Sequence, residues 1–189
     1  MPFITARQRS RRLDEMTQRA ALRKLLILDA ADTLGDLAVA PGNHLERLRD
    51  DRARQHSIRV SQQWRICFRW TSAGPESVEI VDSHRKEGTV TPTATMSPIR
   101  PGEVLLEEYL EPLGITQHRL AVAIGVPPRW INEIVHGKRG ISADTALRRA
   151  KYFGTSERSW LNLQGRYDIE AQRDGLADRL ERIEPLRSA

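Results

Sequence analysis

The 189-residue sequence predicts two small modules joined end to end. An α+β unit, with helices followed by an antiparallel strand meander, precedes an all-α helix-turn-helix domain of five helices. Three observations carry this reading. The apolar period changes within the first half, from the helical spacing of Leu22, Leu25 and Leu26 to the strict alternation of Trp64, Ile66, Phe68 and Trp70. The stretch 85–95 then has no apolar period and contains Gly88, Pro92 and the threonines 89, 91, 93 and 95. Beyond it the helical period returns, punctuated by Ser, Thr, Gly and Pro at helix boundaries.

In the first module, Leu13 and Met16 extend the apolar face of the leucine helix, and Pro41-Gly42-Asn43 ends the helical region. The strand Trp64–Trp70 alternates with Arg65, Cys67 and Arg69, which gives it one apolar and one largely polar face. Ser57–Val60 and Ser77–Val81 are its expected neighbours. The connectors 61–63 and 71–75 are short enough for antiparallel hairpins. The expected boundaries are 1–84 for this module, 85–95 for a linker and 96–189 for the second module. Met96 is a start residue in its own right, so the sequence admits either one polypeptide or two products split there.

In the second module, Gly102–Leu113 is a first helix ending near Gly114. Thr116 caps a second helix that runs to about Ile124, and Gly125-Val126 makes the turn. Pro128 suits the first position of a third helix, since its missing N–H has no intrahelical partner to lose there. That helix runs to His136, where Gly137 can take the left-handed C-cap conformation. Ser142 caps a fourth helix ending at Phe153-Gly154. Ser156 caps a fifth that carries Trp160, Leu161, Leu163 and Tyr167, and the charged tail from Asp174 frays after another turn or two.

The composition narrows the chemistry. No apolar run approaches the roughly 18 residues of a membrane-spanning helix, and residues 1–12 lack a signal-peptide core, so a cytoplasmic protein without membrane partners is expected. A single cysteine, Cys67, excludes an internal disulfide and a cysteine metal cluster, and buried packing is its expected role. Neither metal nor cofactor is expected. The formal charge is +5, split +4 for residues 1–95 and +1 for 96–189, with arginine far outnumbering lysine. Guanidinium matches phosphate bidentately, so the excess suits nucleic acid.

Two short helices around a glycine turn form a helix-turn-helix unit whose second helix enters the major groove. Leu120, Ala121, Ile124, Val126, Ile131 and Ile134 should close the angle between them. This leaves Gln117 at the start of the first helix, and Pro128, Arg129, Trp130 and Asn132 on the outer face of the second. Arg129 is the main base-reading candidate, because guanidinium can grip guanine O6 and N7 together. Gln117, His136 and Lys138 are placed for phosphates, which fix register without reading sequence. The alternatives are packing for Trp130 and plain solvation for His136. One such unit reads a half-site, so a homodimer is expected.

The blocks Arg100-Pro101-Gly102-Glu103-Val104-Leu105, Glu108 through Gly114, Asn132 through Ser142, and Phe153-Gly154-Thr155-Ser156 followed by Trp160 through Gln164 resemble HigA-family antitoxins over residues 97–172. The resemblance implies an Xre/lambda-repressor-like fold and an autorepressor that binds operator DNA in its own promoter. Pro127 stands where that family more often has a polar cap.

The N-terminal module resembles HigB, a RelE-type toxin that cleaves messenger RNA on the ribosome. Leu45 through Arg49 with Asp51-Arg52, Ser57 through Val60, Gln63 through Trp70, and Val78 through Asp82 with His84 carry the match over residues 18–84. The resemblance implies a RelE-like fold, the ribosome and messenger RNA as partners, and metal-independent attack of a 2′-hydroxyl on the adjacent phosphate. Such a reaction needs positive charge for the pentavalent phosphate and a proton shuttle. Arg65 matches the phosphate-stabilising position, Arg49 a position usually held by lysine, and His84 the terminal histidine. A solvated strand arginine is the alternative for Arg65. Three departures lead us to expect a weakened enzyme: Ser83 replaces a tyrosine, Asp50 a glycine and Arg54 another glycine. The sequence thus admits an autorepressor with an impaired toxin module, an active ribonuclease restrained by its own antitoxin domain, or a repressor with a partner-binding platform.

Overall fold

The computed structural model describes residues 8–10, 13–83 and 92–184. Helix α1 (Glu15–Ala30) starts where Asp14 Oδ1 accepts from the Thr17 N–H at 2.9 Å. It buries Leu22, Leu26, Ile27 and Ala30. Met16, expected on that face, is instead 83% exposed. Six residues before Leu22 lies about 120° around a helix from the buried stripe, and Leu13, though buried, precedes the first turn. Helix α2 (Leu34–Val39) opens with a capping box between Thr33 and Asp36.

Strands β2 (Glu46–Arg47), β3 (His56–Arg59), β4 (Trp64–Thr71) and β5 (Gly74–Asp82) form an antiparallel meander in sequence order. Ile58 pairs with Ile66, and Ile66 with Ile80, while Ile58, Ile66 and Phe68 are fully buried beneath α1. A bulge between Cys67 and Arg69 shifts the β4–β5 register. Cys67 is buried, and that burial pushes its thiol up. Strand β1 (Gln8–Ser10) pairs antiparallel with β6 (Pro92–Thr95), so the last four residues of the stretch read as a linker are a strand.

Helix α3 (Pro101–Leu105) continues as a π-helical turn, Leu106–Leu110, in place of one regular helix to Leu113. The wider turn buries three successive residues, Glu108, Tyr109 and Leu110, which a regular helix would spread around its circumference. Helices α4 (Gln117–Ile124), α5 (Pro128–Val135), α6 (Ala143–Phe153) and α7 (Glu157–Leu180) follow as the caps predict. Thr116, Ser142 and Ser156 accept from the N–H three residues on, and Gly125 and Gly154 take left-handed C-cap conformations. α3 lies so close to α5 that a Cβ on Gly102 would stand 1.9 Å from the Ile134 carbonyl oxygen. No described helix is long and apolar enough to cross a membrane.

The two modules share one apolar core, continuous from Leu26 and Ile58 to Val104 and Trp160. Charged and polar groups stitch the seam. Glu108 receives Lys24 Nζ at 2.5 Å and Arg23 Nε at 2.9 Å, while Arg19 reaches Glu103 at 2.6 Å. Lys24 also donates to Asn43 Oδ1 at 2.8 Å, and Asn43 donates to the Leu37 carbonyl at 2.7 Å. Burial lowers Lys24 from its ordinary value, against the opposing pull of Glu108. The Asp36 carboxylate caps a second helix, accepting from Ser156 N at 2.5 Å and Ser156 Oγ at 2.9 Å at the start of α7. Asn162 donates to the Ala30 carbonyl at 3.0 Å, and Arg166 pairs with Asp29.

One buried group breaks the pattern of satisfied charges. Arg149, on α6, is fully buried, none of its three guanidinium nitrogens has a hydrogen-bond partner among the described residues, and its guanidinium lies over the Trp160 ring, 5.1 Å from the centroid. Burial alone pulls it down to about 9. An uncompensated buried charge is destabilising even when a ring face offsets part of its cost. Arg149→Met should therefore raise stability by about 1–3 kcal/mol, which is several degrees in a thermal melt. A lower melting temperature would show that the guanidinium is compensated.

Candidate nucleic-acid interface

The helix-turn-helix angle is closed by the residues the sequence singled out. Leu120, Ala121, Ile124, Val126, Ile131 and Ile134 are all buried between α4 and α5. Their burial fixes which side of α5 faces out. Pro128, Arg129, Asn132 and His136 are exposed there, with Lys138 just beyond. Gln117, at the start of α4, is half-buried and accepts from Asn132 Nδ2 at 3.2 Å, so the two helices present one joined polar edge.

Arg129 is the most outward of these groups, with its side chain 85% exposed. It is nevertheless aimed. Glu133, one turn on, takes Arg129 Nε at 2.6 Å and Arg139 Nε at 2.9 Å, and these two hydrogen bonds, that from Arg139 foremost, hold its carboxyl below the usual range. Arg139 in turn lies over the Trp130 ring at 4.6 Å. Trp130 is thus half-buried beneath a guanidinium, not a bare wedge on the outer face. His136 Nδ1 donates to the Asn132 carbonyl at 2.8 Å, and Nε2 takes no part in that bond. Glu133 and Arg139 escaped the sequence reading. The i, i+4 spacing of Arg129 and Glu133 was the available signal.

The residues proposed for phosphoryl chemistry are dispersed. Arg65, on β4, is committed inward: its Nε donates to Ser57 Oγ at 2.9 Å, and Nη2 donates to the His44 carbonyl at 3.0 Å and pairs with Glu46 at 3.1 Å. Arg65 pairs in register with Arg59 and Val81. Arg49 is exposed before the 3₁₀ turn Asp50–Arg52, beyond the opposite end of β3, where His56 pairs with Phe68. Asp50 has φ 53°, a left-handed conformation that glycine adopts without cost. Ser83 donates its hydroxyl to the Gln63 carbonyl at 2.7 Å, which ties it to the start of β4. His84 lies outside the described residues. A cleft of about 360 Å³ on this side of the sheet is lined by Asp50, Arg52, Ala53, Arg54, Gln55 and Arg69, without Arg49.

Comparison with known proteins matches both halves. Residues 2–84 fit the model of the RelE-like toxin of type II toxin-antitoxin system HigB, and residues 106–160 fit a helix-turn-helix model. Virulence-associated protein I of Dichelobacter nodosus is 56% identical over 75 residues, which span 40% of this chain and 69% of that protein. Antitoxin HigA-1 of Vibrio cholerae is 33% identical over 89 residues, spanning 47% of this chain and 84% of the antitoxin. Toxin HigB-1 of the same organism is 41% identical over 68 residues, spanning 36% of this chain and 72% of the toxin. The chain belongs to the HigB–HigA toxin–antitoxin family, a HigB-like toxin domain being followed in one polypeptide by a helix-turn-helix domain of the HigA antitoxin type.

Proposed function

We propose that the chain is a sequence-specific autorepressor of HigA type, acting in the cytoplasm as a homodimer on operator DNA in its own promoter and carrying a HigB-like module with weakened activity. The observation that carries the DNA reading is the outer face of α5, where Arg129 projects into solvent while Glu133 fixes its direction. A guanidinium so held is oriented before contact, and donors in that arrangement suit a bidentate grip on guanine. Gln117, His136 and Lys138 flank it as phosphate contacts. The functional division at 1–84, 85–95 and 96–189 belongs to this proposal. Contact of the N-terminal module with ribosome and messenger RNA belongs to it as well.

The weakened toxin reading rests on Arg65 and Ser83. The Arg65 guanidinium is already bonded to Ser57, His44 and Glu46, so charge for a phosphate must be won from a carboxylate and two protein acceptors. Ser83, bonded to the Gln63 carbonyl, has neither the reach nor the acidity of a phenol.

Two outcomes follow. Arg129→Ala should cost about 1–3 kcal/mol at the cognate operator and little on unrelated duplex, read by titration at fixed salt, with half-sites about 34–36 Å apart. Equal affinity and selectivity in wild type and variant would refute the recognition-helix assignment. Residues 1–95 expressed without the rest, with their folding checked by circular dichroism, should cause weak or no growth arrest. Ser83→Tyr combined with Asp50→Gly should raise messenger RNA cleavage, and adding Arg65→Ala should remove the gain, a loss of about 2–4 kcal/mol of transition-state stabilisation. Strong toxicity from the unaltered fragment would favour an active ribonuclease restrained by its own antitoxin domain.

A further inference from the structure

The outer row of α5 ends at His136, and the residue after it makes room for a cation from elsewhere in the chain. Gly137 has φ 69°, and a Cβ there would stand 2.7 Å from Arg100 Cδ and 3.1 Å from Arg100 Nε. The arginine stem therefore lies directly over the glycine backbone. Arg100 precedes Pro101, which restricts it to extended backbone, here φ −77° and ψ 143°. Its guanidinium is thus carried past the end of α5 on a stem held at its root and along its length. The residue is exposed, and its side chain has no hydrogen-bond or ion-pair partner among the described residues.

Arg100 and Lys138 line the same cleft, of about 440 Å³. Arg139 lines it too, but that group is held by Glu133 and lies over the Trp130 ring. Asp168, the one acid in the lining, accepts from Gln164 Nε2 at 2.8 Å, while Gln164 Oε1 accepts from the Ile141 N–H at 2.8 Å. That amide ties the loop after α5 to α7, so Lys138 stands on a braced segment. The Lys138 ammonium also has no partner among the described residues. Two unpaired cations at one cleft repel each other, and an anion beside them relieves the repulsion.

Their position says which anion. Arg129 and His136 are seven residues apart, about 10 Å along a helix axis. The major groove is about 12 Å wide. With Arg129 among the bases, the His136 end of α5 reaches the edge of the groove, where the sugar–phosphate backbone runs. We infer that Arg100 takes a backbone phosphate of the operator beside the phosphate contact of Lys138, with Gly137 as the positioning residue that lets its stem pass. This deepens the DNA reading of α5 and rests on it, and it brings a residue from outside the two helices of the motif into the interface.

Titration of the full chain against its operator and an unrelated duplex, over a range of salt, tests it. Arg100→Gln keeps a Cδ over Gly137 and removes the charge. It should weaken binding to both duplexes by the same factor, about fivefold per half-site at about 0.15 M salt. The slope of log affinity against log salt should fall by about 0.9 per half-site. Arg100→Lys should keep the wild-type slope. A guanidinium that merely balanced the carbonyl end of α5 would lower the melting temperature when lost and leave the slope untouched. An unchanged slope in Arg100→Gln, a loss confined to the operator, or an Arg100→Lys slope as low as that of Arg100→Gln would each overturn the assignment. Arg129→Ala separates this inference from the DNA reading, because it should cut affinity for the operator and spare the unrelated duplex. Wild type that binds neither duplex would strike the DNA reading itself, and this inference with it.

Discussion

The Glu108 carboxylate is the constraint on which the rest of the molecule depends. It is buried at the seam, with Lys24 Nζ 2.5 Å from one oxygen and Arg23 Nε 2.9 Å from the other. Taking an isolated carboxylate out of water costs several kcal/mol, and only close, well-aligned counter-charges offset that. Glu108 is therefore secure only when α1 of the toxin-like module is in place. The π-helical turn exists in the same spot. By widening the helix at Leu106–Leu110 it turns Glu108 toward α1 while Tyr109 packs against Phe153 and Trp160 at 5.1 and 5.0 Å.

This seam and the DNA-facing edge use different surfaces. The seam engages α3, its π turn and the first turns of α7, whereas the candidate DNA face is the start of α4 and the outside of α5. The toxin-like module can therefore accompany the reader to DNA without covering it. Gly102 couples the two, because it lets α3 lie against the carbonyl end of α5 at a distance no side chain would permit.

Much of this was legible in the sequence. Caps at Thr116, Ser142 and Ser156, the turn at Gly125 and the stop at Gly154 are local chemistry, settled by residues within one turn of each other. The meander was legible because Trp64 through Trp70 alternate under a helix with a single apolar face. What escaped depends on residues far apart in the chain. Nothing local marks Asp36 as the cap of a helix 120 residues later, or Glu108 as the partner of Lys24. Met16 is exposed because six residues before Leu22 fall about 120° off the buried stripe of α1, an offset that apolar character alone does not reveal. At the site, exposure of Arg129 followed from the HTH pattern, but its tether to Glu133 required the i, i+4 rule, and the inward commitment of Arg65 required the 3₁₀ turn Pro41–Asn43, which ends at His44 and leaves the His44 carbonyl within reach of the guanidinium.

A double-mutant cycle at the seam tests the central claim most directly. Urea unfolding of the full chain is followed by far-ultraviolet circular dichroism and by tryptophan fluorescence, which samples both modules through Trp64, Trp70, Trp130 and Trp160. The account predicts one coincident transition, a loss of about 3–5 kcal/mol for Glu108→Leu alone, which strands Lys24, a smaller loss for Lys24→Met, which leaves Glu108 its bond from Arg23, and recovery of most of the larger loss in the double variant. Two separate transitions in wild type, or single losses that are small and simply add, would contradict it.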